Sequence, residues 1–322
     1  MKEQILKLLR DNQDRYISGE EICQHFNVSR TAIWKHVKDL QEAGYEIDAV
    51  RNKGYRLLSI PDVVLAAEIR AGLQTKRMGQ HVVDLQTIDS TNVLAAKLAE
   101  AGEPEGTLVI ADRQTGGKGR RGKPWFSPPG TGIWMSLILR PKLPMAHAPQ
   151  LTLVAAVAVS QALTEATGRK AGIKWPNDIF FDDRKCCGIL TEMNMESEEI
   201  NHVILGIGIN VNQTESDFPD ELRSIATSLR IVTGNHMRRA PLVQRILERF
   251  EGLYDQYVEH GTFAPIREQW KRQSITLGRY VSAHTPRGIL TGLAVDIDEM
   301  GALILQNQDG LQKVYSADIQ MS

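Results

Sequence analysis

Ile5, Leu8 and Leu9 open the chain with an apolar stripe at helical spacing, and Ile22 with Phe26 marks a second short helix that begins near Gly19-Glu20. Ser29 then predicts an N-cap, because a serine hydroxyl accepts from the free amides of the next turn. Ile33, Val37 and Leu40 follow at helical spacing until Gly44 stops the helix. Two extended runs, residues 45–50 and 55–58, flank Arg51-Asn52-Lys53-Gly54. Residues 1–60 therefore read as a winged helix-turn-helix: three short helices, then a hairpin, with Pro61 at the domain edge.

From 62 to 270 helical patterns (63–71, 92–101, 151–167, 241–260) are interspersed with strands at 82–88, 107–112 and 132–139. Further strands at 172–181, 187–193 and 203–211 are joined by the polar turns 182–184 and 194–201. Strands joined by such short turns are most easily antiparallel, which predicts an α+β fold rather than a doubly wound one. From about 275 to 322 only short strands remain, with turns at 284–288, 298–301 and 308–310, the pattern of a small β-barrel domain. No internal repeat appears.

Composition narrows the class. The 322 residues carry 38 Lys+Arg against 39 Asp+Glu, a net charge of -1, which excludes a uniformly basic nucleic-acid coat. Cys23, Cys186 and Cys187 give neither a disulfide framework nor a zinc spacing, so a reducing cytoplasm is the simplest compartment. The N-terminus carries acids where a signal peptide needs an unbroken apolar stretch, and the apolar run 151–163 falls short of the ~20 residues of a membrane span. No membrane association is expected. Three acid-free segments gather the cations: 29–38 and 51–56 hold three each and 113–123 five, leaving the other 295 residues with 27 cations against 39 acids.

Cations placed this way suit DNA when they sit on a helix-turn-helix, since they neutralise phosphates while polar side chains near the helix start reach base edges. Ser29, Arg30, Thr31, Trp34, Lys35 and Lys38 on the third helix, with Arg51 and Lys53 at the wing tip, are the candidate DNA contacts. The plainer alternative is a helical bundle with a solvated charged face, and Trp34 is open between DNA contact and packing on the hairpin.

Arg113–Lys123 (RQTGGKGRRGK) interleaves four glycines with five cations, so bare amides and positive side chains can wrap an anion closely. It is not a Walker loop, because Pro124 replaces the Ser/Thr that would hold magnesium. Gly206-Ile207-Gly208 lacks the third glycine of a dinucleotide turn. Alone, the basic loop reads as a flexible surface segment. Three polar groupings accompany it. Ile88–Asn92 (IDSTN) either caps the next helix or receives a polar ligand. In Lys174–Asp178 (KWPND) a lone lysine by an apolar strand either pairs with Asp178 or awaits an anion. Gly206–Asn210 (GIGIN) either seats a flat ligand on bare backbone or relieves a β-bulge.

Taken in order, IDSTN (88–92), RQTGGKGRRGK with Trp125 behind it, KWPND (174–178), RKCCGIL (184–190) and GIGIN (206–210) closely resemble the biotin protein ligases. The helix-turn-helix ahead of them resembles the bifunctional bacterial class, which is both biotin ligase and repressor of biotin synthesis. The resemblance spans all three inferred domains and implies a central mixed α/β ligase domain of the class II aminoacyl-tRNA synthetase type, followed by a C-terminal SH3-like barrel. It implies that biotin's carboxylate attacks the α-phosphate of ATP, giving biotinyl-5′-AMP and pyrophosphate. A lysine of the biotin carboxyl carrier protein of acetyl-CoA carboxylase then attacks the mixed anhydride.

Carried over residue by residue, the resemblance makes Lys174 and Arg120 the catalytic cations, Lys174 bridging the biotin carboxylate and the phosphate. Ser90, Thr91, Asn92, Gln114, Gly117, Lys118, Gly119, Arg120, Lys174, Gly206 and Gly208 would surround biotin. Lys118, Arg120, Arg121, Trp125, Asn177 and Asn210 would surround the adenylate. Mg2+ is expected with ATP, without a dedicated carboxylate cage. The class dimerises when loaded with biotinyl-AMP and presents two helix-turn-helix units to a two-fold-related operator of the biotin genes. Lys118 stands where the best-known bacterial members carry arginine, which removes a planar bidentate fork from that position. Two other readings use the same motifs, a non-catalytic biotin-sensing transcriptional regulator and a lipoate ligase. Lys174 with the full basic loop speaks against the first, and the loop with KWPND against the second.

Overall fold

We describe the fold from a computed structural model that covers residues 1–196, 199–286 and 288–321. The first compact unit comprises Met1–Val63 and contains α1 (Lys2–Arg10), α2 (Gly19–Phe26), α3 (Arg30–Glu42) and the antiparallel pair β1 (Glu46–Val50) and β2 (Gly54–Ser59). Ser18 and Ser29 cap α2 and α3, accepting from the amides of Glu21 at 3.0 Å and Ala32 at 3.2 Å. Ile5, Leu9, Ile22, Ile33, Val37 and Leu40 are buried, as their spacing predicts. Gly54 is required at the wing: its φ is +112°, and a Cβ there would lie 2.0 Å from the Ile17 carbonyl oxygen.

The second unit runs from Val64 onward. Its elements in order are α4 (Ala66–Arg70), β3 (Val82–Ile88), α5 (Thr91–Glu100), β4 (Leu108–Gln114), β5 (Gly132–Leu139) and α6 (Gln150–Thr167). There follow β6 (Gly172–Lys174), β7 (Asp178–Phe181), β8 (Arg184–Glu196), β9 (Glu199–Asn210), α7 (Leu229–Thr233), α8 (Arg239–His260) and α9 (Ala264–Gln273). The seven strands form one sheet in the order β3-β4-β5-β9-β8-β7-β6, with β3 and β4 parallel and every other pair antiparallel. The expected single strand 172–181 is two strands, because Pro176 between them has no amide proton to give a ladder. Helix α6 is buried nearly all round, the burial expected of a helix at the centre of the core. Helix α9 was not predicted; only Ile266 and Trp270 of it are buried, too few apolar positions to show a stripe.

The C-terminal strands β10 (Tyr280–Thr285), β11 (Gly288–Ile297), β12 (Leu303–Asn307), β13 (Gly310–Val314) and β14 (Asp318–Met321) make a five-stranded antiparallel sheet, ordered β13-β12-β11-β10-β14. It is tied to the segment between β6 and β7 by Trp175, whose indole N–H donates to the Gly301 carbonyl at 3.0 Å, and to α9 by an ion pair between Arg267 and Asp296 at 2.6 Å. Among the described residues no helix is long and apolar enough to cross a membrane.

Candidate functional site

The start of α5, the end of β4, residues 118–126, strands β8 and β9 and residues 218–226 enclose a cavity of about 300 Å³. That is the scale of a small-molecule site. One wall is a buried polar network. Ser90 occupies the N-cap position of α5, yet its hydroxyl makes no capping bond and lines the cavity. Gln114 Oε1 accepts from the Thr91 amide at 2.8 Å, and Gln114 Nε2 donates to Ser127 Oγ at 3.1 Å. Asn92 Nδ2 donates to Glu192 Oε2 at 2.6 Å. The fully buried Ser136 hydroxyl lies 2.8 Å from Thr91 Oγ1 and 2.6 Å from Asn92 Oδ1. Mutual bonding of this kind fixes side chains that could not be buried unpaired.

The GIGIN glycines are not at a bulge, since β5 and β9 pair without a register break from Gly132↔Asn210 to Leu139↔Val203. They make room instead. A Cβ at Gly206 would fall 2.2 Å from Asn92 Oδ1, and one at Gly208 would fall 2.4 Å from Trp125 Nε1. The indole nitrogen of Trp125 is buried without a hydrogen-bond partner among the described residues.

The basic loop is anchored on both sides. Trp125 N–H donates to the Gly117 carbonyl at 2.9 Å and Gly119 N–H to the Lys123 carbonyl at 2.7 Å, while Arg121 and Gly122 take the left-handed φ values of +56° and +73° that reverse the chain. Arg120 Nη1 donates to Asn177 Oδ1 and to the Ala317 carbonyl, each at 3.2 Å, and Nη2 donates to Ser316 Oγ at 3.1 Å. Burial lowers the Arg120 pKa from its ordinary value, against the opposing charges of Asp318 and Asp178. Arg121 and Lys123 both reach Asp318, at 3.4 and 3.1 Å. Burial alone would raise the Asp318 pKa; the hydrogen bond from Lys123 and the charges of Lys123, Arg121 and Arg120 outweigh it and hold the carboxyl below its usual range.

The two lysines near the site differ in placement. Lys174 does not line the cavity; its ammonium stands 5.0 Å from the centre of the Phe180 ring, and burial lowers its pKa. Lys185 does line it, with Nζ 2.7 Å from Asp178 Oδ1 and 5.2 Å from the centre of the Trp125 ring. The pairing of Lys174 with Asp178 that the sequence allowed is thus made by Lys185.

Of the residues singled out from sequence, Ser90, Thr91, Asn92, Gln114, Lys118, Gly119, Arg120, Trp125, Asn177, Gly206, Gly208 and Asn210 line the cavity, and Gly117, Arg121 and Lys174 do not. Gly117 supports the turn from behind, where a Cβ would be 2.8 Å from Ser127 Oγ. The amides of Asn177 and Asn210 are already engaged, donating to the carbonyls of Ile189 at 2.9 Å and Thr227 at 3.0 Å. Sequence reasoning missed Lys185, Ser136, Glu192, Asp318 and the apolar group Phe126, Phe218, Leu222 and Ile225. Two signals were available: Lys185 precedes the buried pair Cys186-Cys187, and Ser136 is the lone hydroxyl of a strand buried at all eight positions.

In the N-terminal unit Ser29, Arg30, Thr31, Trp34, Lys35, Lys38, Arg51 and Lys53 are all exposed. Trp34 is 57% exposed, with Lys38 Nζ 5.5 Å from its ring centre, so it does not pack on the hairpin. The wing cations Lys53 and Arg56 instead stand over Tyr16, at 5.9 and 4.7 Å. Acids from outside the basic segment approach two of its cations: Glu20 lies 3.7 Å from Arg30 and Glu42 3.8 Å from Lys38.

Residues 84–210 match the biotin/lipoate A/B protein ligase family, residues 2–56 a helix-turn-helix domain, and residues 276–322 the biotin protein ligase C-terminal domain. The chain is 47% identical over 321 residues to the bifunctional ligase/repressor BirA of Bacillus subtilis, covering 100% of this chain and 98% of that protein. It is 30% identical over 302 residues to the protein of the same name from Escherichia coli, covering 92% and 90%. Among solved structures, the biotin protein ligase of Aquifex aeolicus in complex with biotin and ATP superposes with a TM-score of 0.65 at 31% identity, over 76% of this chain and 99% of that one.

Proposed function

The chain belongs to the biotin protein ligase family, in the class that carries an N-terminal helix-turn-helix, and from that premise we propose how its cavity activates biotin and how the protein represses transcription. One observation carries the reading: a single cavity joins a wall of uncharged polar groups, Ser90, Thr91, Asn92 and Gln114, to a cluster of cations. Biotin has the same division, a neutral cyclic urea at one end and a carboxylate at the other. Ser90, Thr91 and Gln114 meet the urea, and the bare backbone at Gly206 and Gly208 beside Trp125 takes the apolar middle. The carboxylate then points to Lys185, Lys118 and Arg120. Phe126, Phe218, Leu222 and Ile225 offer the adenine an apolar surface.

With ATP in place, a carboxylate oxygen of biotin attacks the α-phosphate and pyrophosphate leaves. The amine of the carrier protein's lysine next attacks the mixed anhydride, forming an amide and releasing AMP. Charge builds on the phosphoryl oxygens, and fixed cations facing it stabilise that charge without reorganising. We assign the bridging role to Lys174, whose ammonium is half-buried beside Asp178, Lys185 and Asp318 of the cavity lining, whereas the Lys185 ammonium is already paired with Asp178 at 2.7 Å. Mg2+ is expected with ATP, as a hard cation carried on its phosphates.

The exposed cations of α3 and the wing read operator DNA, and biotinyl-AMP promotes the homodimer that presents two such units. The setting is the cytoplasm. Purified protein given ATP, labelled biotin and carrier protein should label the carrier, and labelled lipoate should not replace biotin. An unlabelled carrier would refute the ligase reading; equal dimer affinity with and without biotinyl-AMP, by sedimentation, would refute the regulatory one.

A further inference from the structure

Both legs of the basic loop meet at a side chain that lies outside the cavity lining. We propose that Arg239 is a positioning residue for that loop: with Asp112 it closes the neck from which residues 113–131 leave the sheet, and so sets how long biotinyl-AMP stays bound. The proposal rests on the ligase reading of the cavity and extends it to the lifetime of the intermediate.

The backbone stops joining the two legs just below the neck. Antiparallel pairing of β4 with β5 runs from Leu108↔Leu137 to Ala111↔Trp134 and ends there. Beyond it side chains take over. Arg239 Nη1 donates to Asp112 Oδ1 at 2.8 Å on the outgoing leg and to the Gly132 carbonyl at 3.1 Å on the returning one. The second oxygen of Asp112, Oδ2, accepts from the Gly130 amide at 3.0 Å. Between those two glycines the Thr131 carbonyl takes the amides of Val211 at 3.2 Å and Asn212 at 2.6 Å, just past the end of β9. The Asn212 side chain in turn holds the backbone of Met237, two residues ahead of Arg239, by bonds of 2.8 and 2.9 Å. The start of α8, both legs of the loop and the end of β9 are thus one bonded unit, and it carries Lys118, Arg120, Trp125 and Asn210 of the cavity lining.

Arg239 is 1% exposed, which is an unusual place for a guanidinium. A buried ion pair is weak support for a fold, since apolar side chains of the same volume stabilise as well or better. What this pair supplies is direction, because its bonds fix the outgoing leg against the returning one. Glycines leave the loop many arrangements; fixing both its ends removes many of them before a ligand arrives. A loop ordered in advance opens less often, and a ligand beneath it leaves more slowly.

Two variants of the full chain test this: Arg239→Lys, which keeps the charge, and Arg239→Met/Asp112→Asn, which removes the pair without leaving a lone buried charge. One readout is trypsin nicking after Arg113, Lys118, Arg120 or Arg121 in ligand-free protein, with the cuts located by mass spectrometry. The other is release of bound labelled biotinyl-AMP into an excess of the unlabelled compound. In the double variant loop nicking and adenylate release should each be about tenfold faster, the worth of one hydrogen bond, with cleavage outside the loop unchanged. Arg239→Lys should fall between it and the unaltered chain, and carries the test alone if the double variant does not fold. Nicking that rises equally at every site would mean a role in stability only and would overturn the proposal, as would unchanged nicking or unchanged release. An unaltered chain that holds no biotinyl-AMP would overturn the ligase reading and the link to adenylate lifetime, whereas the nicking rates, which need no ligand, judge the neck separately.

Discussion

The two cation-rich regions of the molecule use charge in opposite ways. On α3 and the wing the cations are exposed, the side chain of Arg30 by 76%, and their acidic neighbours stand 3.7 Å away or more. Around the cavity Arg120 makes three hydrogen bonds, Lys185 holds Asp178 at 2.7 Å, and Arg121 with Lys123 share Asp318. Mobile surface cations suit a long polyanion, where binding follows the number of phosphates neutralised and weakens with salt. Fixed cations in a cavity suit one small anion, where the place of each charge matters more than the count. The same residue types thus serve two functions, separated by burial and partners.

Displacing a ring in the cavity should do the most damage. Gly208→Val sets new carbons against Trp125, where even a Cβ would stand 2.4 Å from Nε1, and should cut carrier labelling about 100-fold, the cost of misplacing a bound ligand by about 1 Å. Operator binding in a gel-shift assay should survive it. The opposite pattern is expected of Arg30→Glu/Lys35→Glu. Removing two surface cations should weaken operator binding more than about tenfold and flatten its salt slope by about two, with labelling rates unchanged.

Asp318→Asn should have the smallest effect, raising the KM for ATP by about threefold by loosening the loop, because its partners are exposed and screened. Its pH behaviour sharpens the contrast. The folded carboxyl ionises below its ordinary value, so its stabilising share is complete above about pH 4 and is lost as pH falls through the folded value. The difference in melting temperature between Asp318→Asn and the unaltered chain should therefore stay constant from about pH 6 to 8 and shrink under acid.

Much of this was legible in the chain. Caps and periodic stripes announced α3, where Ser29 opens the helix and Ile33, Val37 and Leu40 are buried. Residues that carry chemistry in contiguous motifs, such as Ser90, Thr91 and Gly208, were readable because a local run of unusual residues draws notice. Lys174 and Lys185 show where local reading stops. Both sit in quoted motifs beside an apolar strand, and which of them reaches the cavity depends on how β6, β7 and β8 pair, a matter of register rather than of composition. Glu192 and Asp318 were illegible for the same reason, and Ser136 showed only as a lone hydroxyl in an apolar run: their partners Asn92, Arg121 and Lys123 are distant in sequence and meet them only in the folded chain. The loop 113–123 read as flexible from its glycines, whereas its hydrogen bonds to Ser316 and Ala317 come from the far end of the chain.

That position outweighs abundance in the cavity is tested most directly by single-turnover formation of labelled biotinyl-AMP in Lys174→Ala and Lys185→Ala, two variants that each remove one positive charge, from β6 and from β8. Loss of Lys174 should slow adenylate formation about 100- to 1,000-fold, as removal of a fixed charge-stabilising group does, while Lys185→Ala, which removes an ammonium already paired with Asp178, should cost less than about tenfold. A Lys174→Ala protein that forms the adenylate at the normal rate, with Lys185→Ala inactive, would contradict the account.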